Sequence, residues 1–256
     1  MPDRDLSLLM DAAYAAGDIA RKFWQRDPEV WDKADGAGPV TEADLAVDRM
    51  LNATLRAERP DYGWLSEETE DTGERQHHEH VFIVDPIDGT RAFINGADTF
   101  SHSLAIAQNG KIIAGVVYLP ILDLMYSAHH LGAAQVNGKP LTAGAKSDLK
   151  TADILAAKPT LEDQHWKEPP AFNRHFRSSL AYRLCLVAEG KFDAMLSLRP
   201  TWEWDVAAGD LIVERAGATI KDRANETVIY NQKDPRHNGL IAAGSSLQSE
   251  IQKRLK

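Results

Sequence analysis

The sequence predicts a protein of mixed α and β structure, α+β over residues 1–145 and α/β over residues 146–256, the two parts packed as one body. Three observations carry this. Helical apolar spacing opens the chain, strand-like runs joined by Asn-Gly pairs fill its middle, and strands alternate with helices beyond about residue 145. No repeat, low-complexity tract or Gly/Ser/Pro linker separates the parts.

From Leu6 to Gln25, the residues Leu9, Ala12, Ala13, Ala16, Ile19, Ala20 and Phe23 form one apolar stripe, predicting an amphipathic first helix. A loop with Gly36, Gly38 and Pro39 follows, and Thr41 is placed to cap a second helix running to about Glu58, with Asp44 in its first turn. Tyr62 to Ser66 and Val81 to Val84 read as short strands that stop at Glu67 and Asp85. Ser103 to Ala107 and Lys111 to Leu119, joined through Asn109-Gly110, make the clearest hairpin. Leu124 to Ala128 and Ala133 to Val136, the latter followed by Asn137-Gly138, extend it into a meander. In the second part, strands are expected near Ile154 to Ala157, Ala194 to Ser197, Thr219, Val228 and Leu240 to Ala243. Helices are expected from Ser179 to Ala188, from Asp205 to Ala216 with Gly217 as its stop, and from Ser245 onward.

Composition narrows the function. Of 256 residues, 43% are apolar and the formal charge is -9, which argues against a protein that gains affinity by neutralising nucleic-acid phosphates. An anionic substrate stays open, because bound divalent cations can reverse the local field. The single cysteine, Cys185, excludes an internal disulfide and a cysteine-built zinc site, and its apolar helix marks it as a core thiol. With no apolar signal core and no run near the roughly 18 residues that span a bilayer, the chain reads as soluble and cytoplasmic.

The chemistry concentrates in Val84-Asp85-Pro86-Ile87-Asp88-Gly89-Thr90-Arg91-Ala92-Phe93. A buried-type strand empties into two aspartates three apart, and Pro86 keeps Asp85 extended, so both carboxylates can converge on one point. Oxygen donors of this kind suit hard divalent cations. Gly89 lets the backbone approach a ligand, and the amides of Gly89, Thr90 and Arg91 could hold phosphate oxygens if a helix starts there. Asp-Pro or Asp-Gly alone would signify only a turn.

Together these ten residues resemble the signature of the inositol monophosphatase superfamily. Three further segments fall in that family's order: Val40-Thr41-Glu42-Ala43-Asp44, Ser66-Glu67-Glu68 and Trp204-Asp205-Val206-Ala207-Ala208-Gly209. The resemblance implies a layered α-β-α-β-α sandwich and a magnesium-dependent phosphomonoesterase with two or three ions, manganese being an alternative. It makes Glu67, Asp85, Asp88, Asp205 and the carbonyl of Ile87 metal ligands, and gives Asp44, Thr90 and Glu67 the activation of the attacking water. It assigns Asp88, Gly89, Thr90, Arg91, Ser178, Ser179 and Asp205 to the substrate, with Lys33 and Glu203 as further candidates. Taken alone, Asp44 is equally a helix-dipole partner, Glu67 a surface carboxylate, Asp205 a helix cap and Glu203 a solvated loop charge.

The family's glycine before the substrate-contacting serine is replaced here by Ser178, and Ser197-Leu198-Arg199 lacks the acid that many inositol-hydrolysing members use on ring hydroxyls. The implied substrate is inositol 1-phosphate, with 3'-phosphoadenosine 5'-phosphate as alternative, then histidinol phosphate and fructose 1,6-bisphosphate. Lithium inhibition and a homodimer are also implied. Two rivals remain: a phosphatase of the haloacid dehalogenase type, whose aspartates sit two apart, not three, and a protein-binding regulatory factor. The run His77-His78-Glu79-His80 reads as solvated loop before a strand.

Overall fold

The computed structural model describes residues 2–33, 38–168 and 170–256, so the expected turn glycine Gly36 lies outside the described residues. The elements are α1 (Pro2–Phe23), β1 (Val30–Asp32), β2 (Pro39–Thr41), α2 (Glu42–Glu58), β3 (Gly63–Ser66), β4 (His80–Asp88), α3 (Thr90–Ile94), β5 (Ser101–Gln108), β6 (Lys111–Leu119), β7 (Leu124–His129), β8 (Gln135–Val136) and β9 (Lys139–Pro140). There follow β10 (Asp153–Ala156), β11 (Asn173–His175), α4 (Leu180–Ala188), β12 (Ala194–Trp202), α5 (Glu203–Arg215), β13 (Thr219–Asp222), β14 (Arg236–Ala243) and α6 (Ser245–Arg254).

Side-chain alternation on the strands dictates five layers. Phe82 and Val84 on β4, with Leu104, Ile106 and Val116, face α1 and α2, where Leu9, Ala13, Val47 and Leu51 are buried against them. The intervening Val81 and Ile83 point the other way, into a core shared with α4, α5 and the inner face of the second sheet. On that second sheet Leu155, Met195 and Leu240 face inward, whereas Ile154, Leu196 and Ile241 pack outward against Leu247 and Ile251 of α6. The result is the α-β-α-β-α sandwich that the sequence resemblance implies. The first sheet runs β3 to β9 in chain order, and the second is ordered β11-β10-β12-β14-β13. No helix among the described residues is long and apolar enough to cross a membrane.

Local chemistry explains the elements that matter for the site. Thr41 caps α2 by accepting from the Ala43 and Asp44 amides, and Asp44 reaches back to the Thr41 amide, closing a reciprocal cap. Asn109 and Gly110 take φ of 50° and 79°, as a two-residue hairpin turn requires. The strand expected to stop at Asp85 instead runs to Asp88, with Pro86 and Ile87 standing opposite the single residue His102 in a bulge. A matching bulge interrupts β12, where Leu198 and Arg199 stand opposite Gly239.

Two expectations are corrected. The strand near Val228 is coil: Val228 packs on the core, and the following backbone bonds to a turn and a side chain in place of a ladder, Tyr230 N–H to Gly110 O and Asn231 N–H to Glu203 Oε2. Helix α5 starts two residues before Asp205, which therefore occupies its first turn and is not its cap. Short β11, for which the sequence offers no strand signal, pairs in parallel with β10.

Candidate functional site

At the β4 bulge, Asp85, Asp88 and, from α5 across the interior, Asp205 bring carboxylate oxygens within 4.8 Å of one another. The bulge decides this geometry. It sets Asp85 and Asp88 either side of two inserted residues, and the carbonyl of Pro86 accepts a hydrogen bond from Nδ1 of buried His102. Burial holds the His102 imidazole down to about 4, so it is neutral and Nδ1 carries the proton.

The three acids are held differently. Asp88 Oδ2 accepts from Ser179 Oγ (2.6 Å) and the Ala181 amide (2.7 Å) at the start of α4. Asp85 is buried, and among the described residues its Oδ1 has no hydrogen-bond partner. Burial, then the charges of Glu67, Asp88 and Asp205, push Asp85 well above the usual carboxylate range. Burial lifts Asp88 to about 6 against the hydrogen bonds that oppose it, and burial with the charge of Asp88 lifts Asp205 well above its ordinary value. Carboxylates this close cannot all ionise alone. An orphaned buried oxygen and a purely oxygen donor set both fit a hard cation, which would remove the mutual repulsion.

Glu67 stands at the end of β3 on the same cleft, its Oε1 2.7 Å from Lys33 Nζ, which also reaches Glu68 Oε1 at 2.6 Å. Burial and the neighbouring Glu67 raise Glu68 to about 7. Ahead of them, buried Asp48 on α2 accepts from Ser66 Oγ (2.6 Å) and Thr69 Oγ1 (2.8 Å), pinning the turn that presents both glutamates.

Gly89 takes φ of 98° and α3 begins at Thr90, so the turn into a helix expected from the sequence is present. The Thr90 hydroxyl lies 3.3 Å from Asp44 Oδ1 and 3.2 Å from the Ile87 carbonyl, linking the α2 cap to the bulge. Burial raises Asp44 to about 6, the hydrogen bonds from Thr41 working against the rise. Ile87, Gly89, Thr90, Arg91 and Ser178 line the cleft with Glu67, Asp85, Asp88 and Asp205; its volume is about 940 Å³.

Two expected substrate residues face elsewhere. Ser179 is fully buried, with its hydroxyl committed to Asp88, to Ser101 Oγ (2.9 Å) and to the Tyr182 amide (2.9 Å), so it holds an acid and does not line the cleft. Glu203, expected as solvated loop, is fully buried and accepts from the Asn231 (2.7 Å) and Gln232 (2.9 Å) amides. Sequence reading missed Arg183, Arg199, Phe176 and Trp202, all of which line the cleft. Arg183 alone left a signal: it is the one charged residue on α4, whose every residue is buried.

The whole chain, residues 1–256, matches the model of the inositol monophosphatase family. Among curated proteins it is 32% identical over 239 residues to the 3'(2'),5'-bisphosphate nucleotidase CysQ of Escherichia coli strain K12, covering 90% of this chain and 95% of that one. It is equally 32% identical, over 227 residues and 85% of each chain, to an inositol-1-monophosphatase of Rhizobium meliloti. Among solved structures, the extragenic suppressor protein suhB of Bartonella henselae superposes with a TM-score of 0.82 at 26% identity, covering 98% of this chain and 97% of that one. A Thermotoga maritima IMPase gives 0.82 at 25% identity, covering 99% and 96%.

Proposed function

The chain belongs to the inositol monophosphatase family, and from that premise we propose that this phosphatase hydrolyses the phosphate monoester of a small metabolite at a cation centre built on Asp85, Asp88 and Asp205. The observation that carries the reading is the convergence of three acids from distant parts of the chain, one with a buried oxygen left unpartnered. Glu67 and the Ile87 carbonyl complete the donor set, and magnesium is the ion proposed, in two or three copies, with manganese as alternative. When bound, such cations lower the pKa of water and offset phosphoryl charge.

The chain's own groups do the rest. Asp44, held by the Thr41 amide and bonded to Thr90, is mostly ionised near pH 7 and can accept the proton of the attacking water through the Thr90 hydroxyl. Lys33 fixes the Glu67 carboxylate at the cleft edge, where Glu67 is the alternative base. Gly89, Thr90 and Arg91 flank the position of the phosphate, and Ser178 that of the leaving alcohol. Water oxygen bonds to phosphorus as the P–O ester bond breaks in line, and the departing alkoxide takes a proton from solvent water to leave as the alcohol, balancing the proton passed to Asp44. Residue patterning places inositol 1-phosphate first, before 3'-phosphoadenosine 5'-phosphate, histidinol phosphate and fructose 1,6-bisphosphate. Phosphate release from these four substrates tests the proposal. Turnover is expected with magnesium, absent after chelation and inhibited by lithium; undiminished turnover in chelator, or a trapped aspartyl-phosphate, would overturn it.

A further inference from the structure

Strand β5 begins Ser101-His102-Ser103, all three buried, before it continues as apolar Leu104-Ala105-Ile106-Ala107. Consecutive buried polar side chains in an interior strand call for a reason, and the register supplies it. Ser103 stands opposite Asp85 and Ser101 opposite Asp88, with His102 facing the two inserted residues Pro86 and Ile87. On a regular strand, residues three apart point to opposite faces. Here the extra residue cancels that, so Asp85 and Asp88 share the face of Ser101 and Ser103, which is also the face that receives α5 and Asp205. The convergence of the two aspartates therefore depends on the bulge keeping its place.

Each member of the run bonds to a carrier of an acid. His102 Nδ1 meets the Pro86 carbonyl between Asp85 and Asp88, and because a carbonyl only accepts, this nitrogen carries the hydrogen. Its Nε2 is buried and, among the described residues, has no partner. The ring points with Phe100, Leu104 and Ile106 into the layer filled by α1 and α2, where an apolar side chain would leave no such orphan. The fold keeps the orphan and gains the bond to the bulge. Ser179 commits its one hydrogen to Asp88, so the 2.9 Å contact between hydroxyls runs from Ser101 Oγ to Ser179 Oγ and onward to Asp88. Ser103 Oγ donates at 3.0 Å to the carbonyl of Trp204, the residue before Asp205. Small residues let α5 come that close: Gly115 pairs with Ala105, and a Cβ on it would stand 2.9 Å from Ala208 O.

We propose that Ser101, His102 and Ser103 are positioning residues that fix the spacing of Asp88, Asp85 and Asp205 and thereby set the affinity of the centre for its divalent cation. None of the three lines the cleft, and each acts through the peptide or side chain that it holds. The inference rests on the cation centre proposed above and adds the residues behind it. Carboxylates held together repel until a cation joins them, so slack in their supports lets them separate and weakens cation binding.

Manganese titration of the chelator-treated and dialysed protein, with the free ion followed by electron paramagnetic resonance, reads that affinity without turnover. His102→Leu, which removes the donor to the bulge, is expected to weaken manganese binding by roughly 10–100-fold. His102→Asn carries an N–H near the position of Nδ1 and should recover most of that loss. Ser103→Ala should weaken binding by about tenfold, and Ser101→Ala, one bond further from its acid, by about threefold. Ile106→Val, on the same strand and face as His102, separates positioning from stability: it should lower the melting temperature in chelator and leave manganese affinity within about twofold of the parent. Should His102→Leu fail to fold, Ser103→Ala, which removes only an oxygen, decides the matter. Three results would overturn the triplet and leave the cation centre standing: variants that bind manganese as the parent does, a His102→Asn protein no better than His102→Leu, or a loss in Ile106→Val as large as theirs. A parent protein that binds no manganese would overturn the cation centre and the triplet with it.

Discussion

Two bulges face the same cleft, one in each sheet, and they are built in opposite ways. The β4 bulge inserts Pro86 and Ile87 and is clamped by His102 from the neighbouring strand, so that acids emerge on both sides of it. The β12 bulge inserts Leu198 and Arg199 opposite a glycine and delivers a cation. The first is compact and held by hydrogen bonds; the second depends on the absence of a side chain across from it. The contrast lies in what each bulge presents to the cleft, carboxylates from the first sheet and a guanidinium from the second.

Removing charge from the first bulge should have the largest effect. Magnesium is expected to raise the melting temperature of the parent protein, and Asp85→Asn to abolish that rise and lower kcat/KM by at least about 10³-fold. A variant that keeps its turnover and its magnesium response would dissolve the distinction between the bulges. Loosening the supports of the acids comes next. Ser179→Ala, which strips Asp88 of a 2.6 Å hydrogen bond, should raise the magnesium concentration for half-activation by roughly 10–100-fold. Titration of manganese by electron paramagnetic resonance would show the same loss without an assay.

At the second bulge, Gly239→Ala meets both an unfavourable φ and a 2.6 Å contact, and should destabilise the fold by about 1–3 kcal/mol in urea melts. No change in stability would mean that the β12 bulge is not held by that glycine. The smallest effect concerns the core behind both bulges. Burial raises Asp210 to about 7, with Tyr230 donating to it at 2.7 Å. Its folded value exceeds the ordinary 3.8, so its contribution to stability is complete below about pH 4 and lost as pH rises through 7. Asp210→Asn keeps an acceptor for Tyr230, and should lose about 1–2 kcal/mol less stability than the parent between pH 5 and 8. Parallel pH profiles for the two proteins would refute that assignment.

The unequal legibility of the two sheets has the same physical root. Ten consecutive residues from Val84 to Phe93 carry the first bulge, its acids and the start of α3, and the Thr41 cap is equally local. Such features are readable because their partners lie a few residues away. The second wall has no such compression. Arg183 meets Phe176 from a helix, Arg199 depends on Gly239 forty residues later, and Glu203 is buried only because residues 231–232 fold over it. Val228 looked like a strand because its apolar neighbours are indistinguishable from one until the ladder partner is known to be absent.

The layer formed by α4 and α5 serves as the inner wall of both sheets at once. During synthesis, the face of the first sheet bearing Val81, Ile83 and Val117 therefore stays wet until the ribosome has released residues up to about 215, long after its strands exist. The last acid of the cluster, Asp205, rides on that late helix. Completion of the acid cluster and closure of the central core thus await the same helix, and a truncated product ending before α5 would be left with a sticky sheet and only two of the three acids.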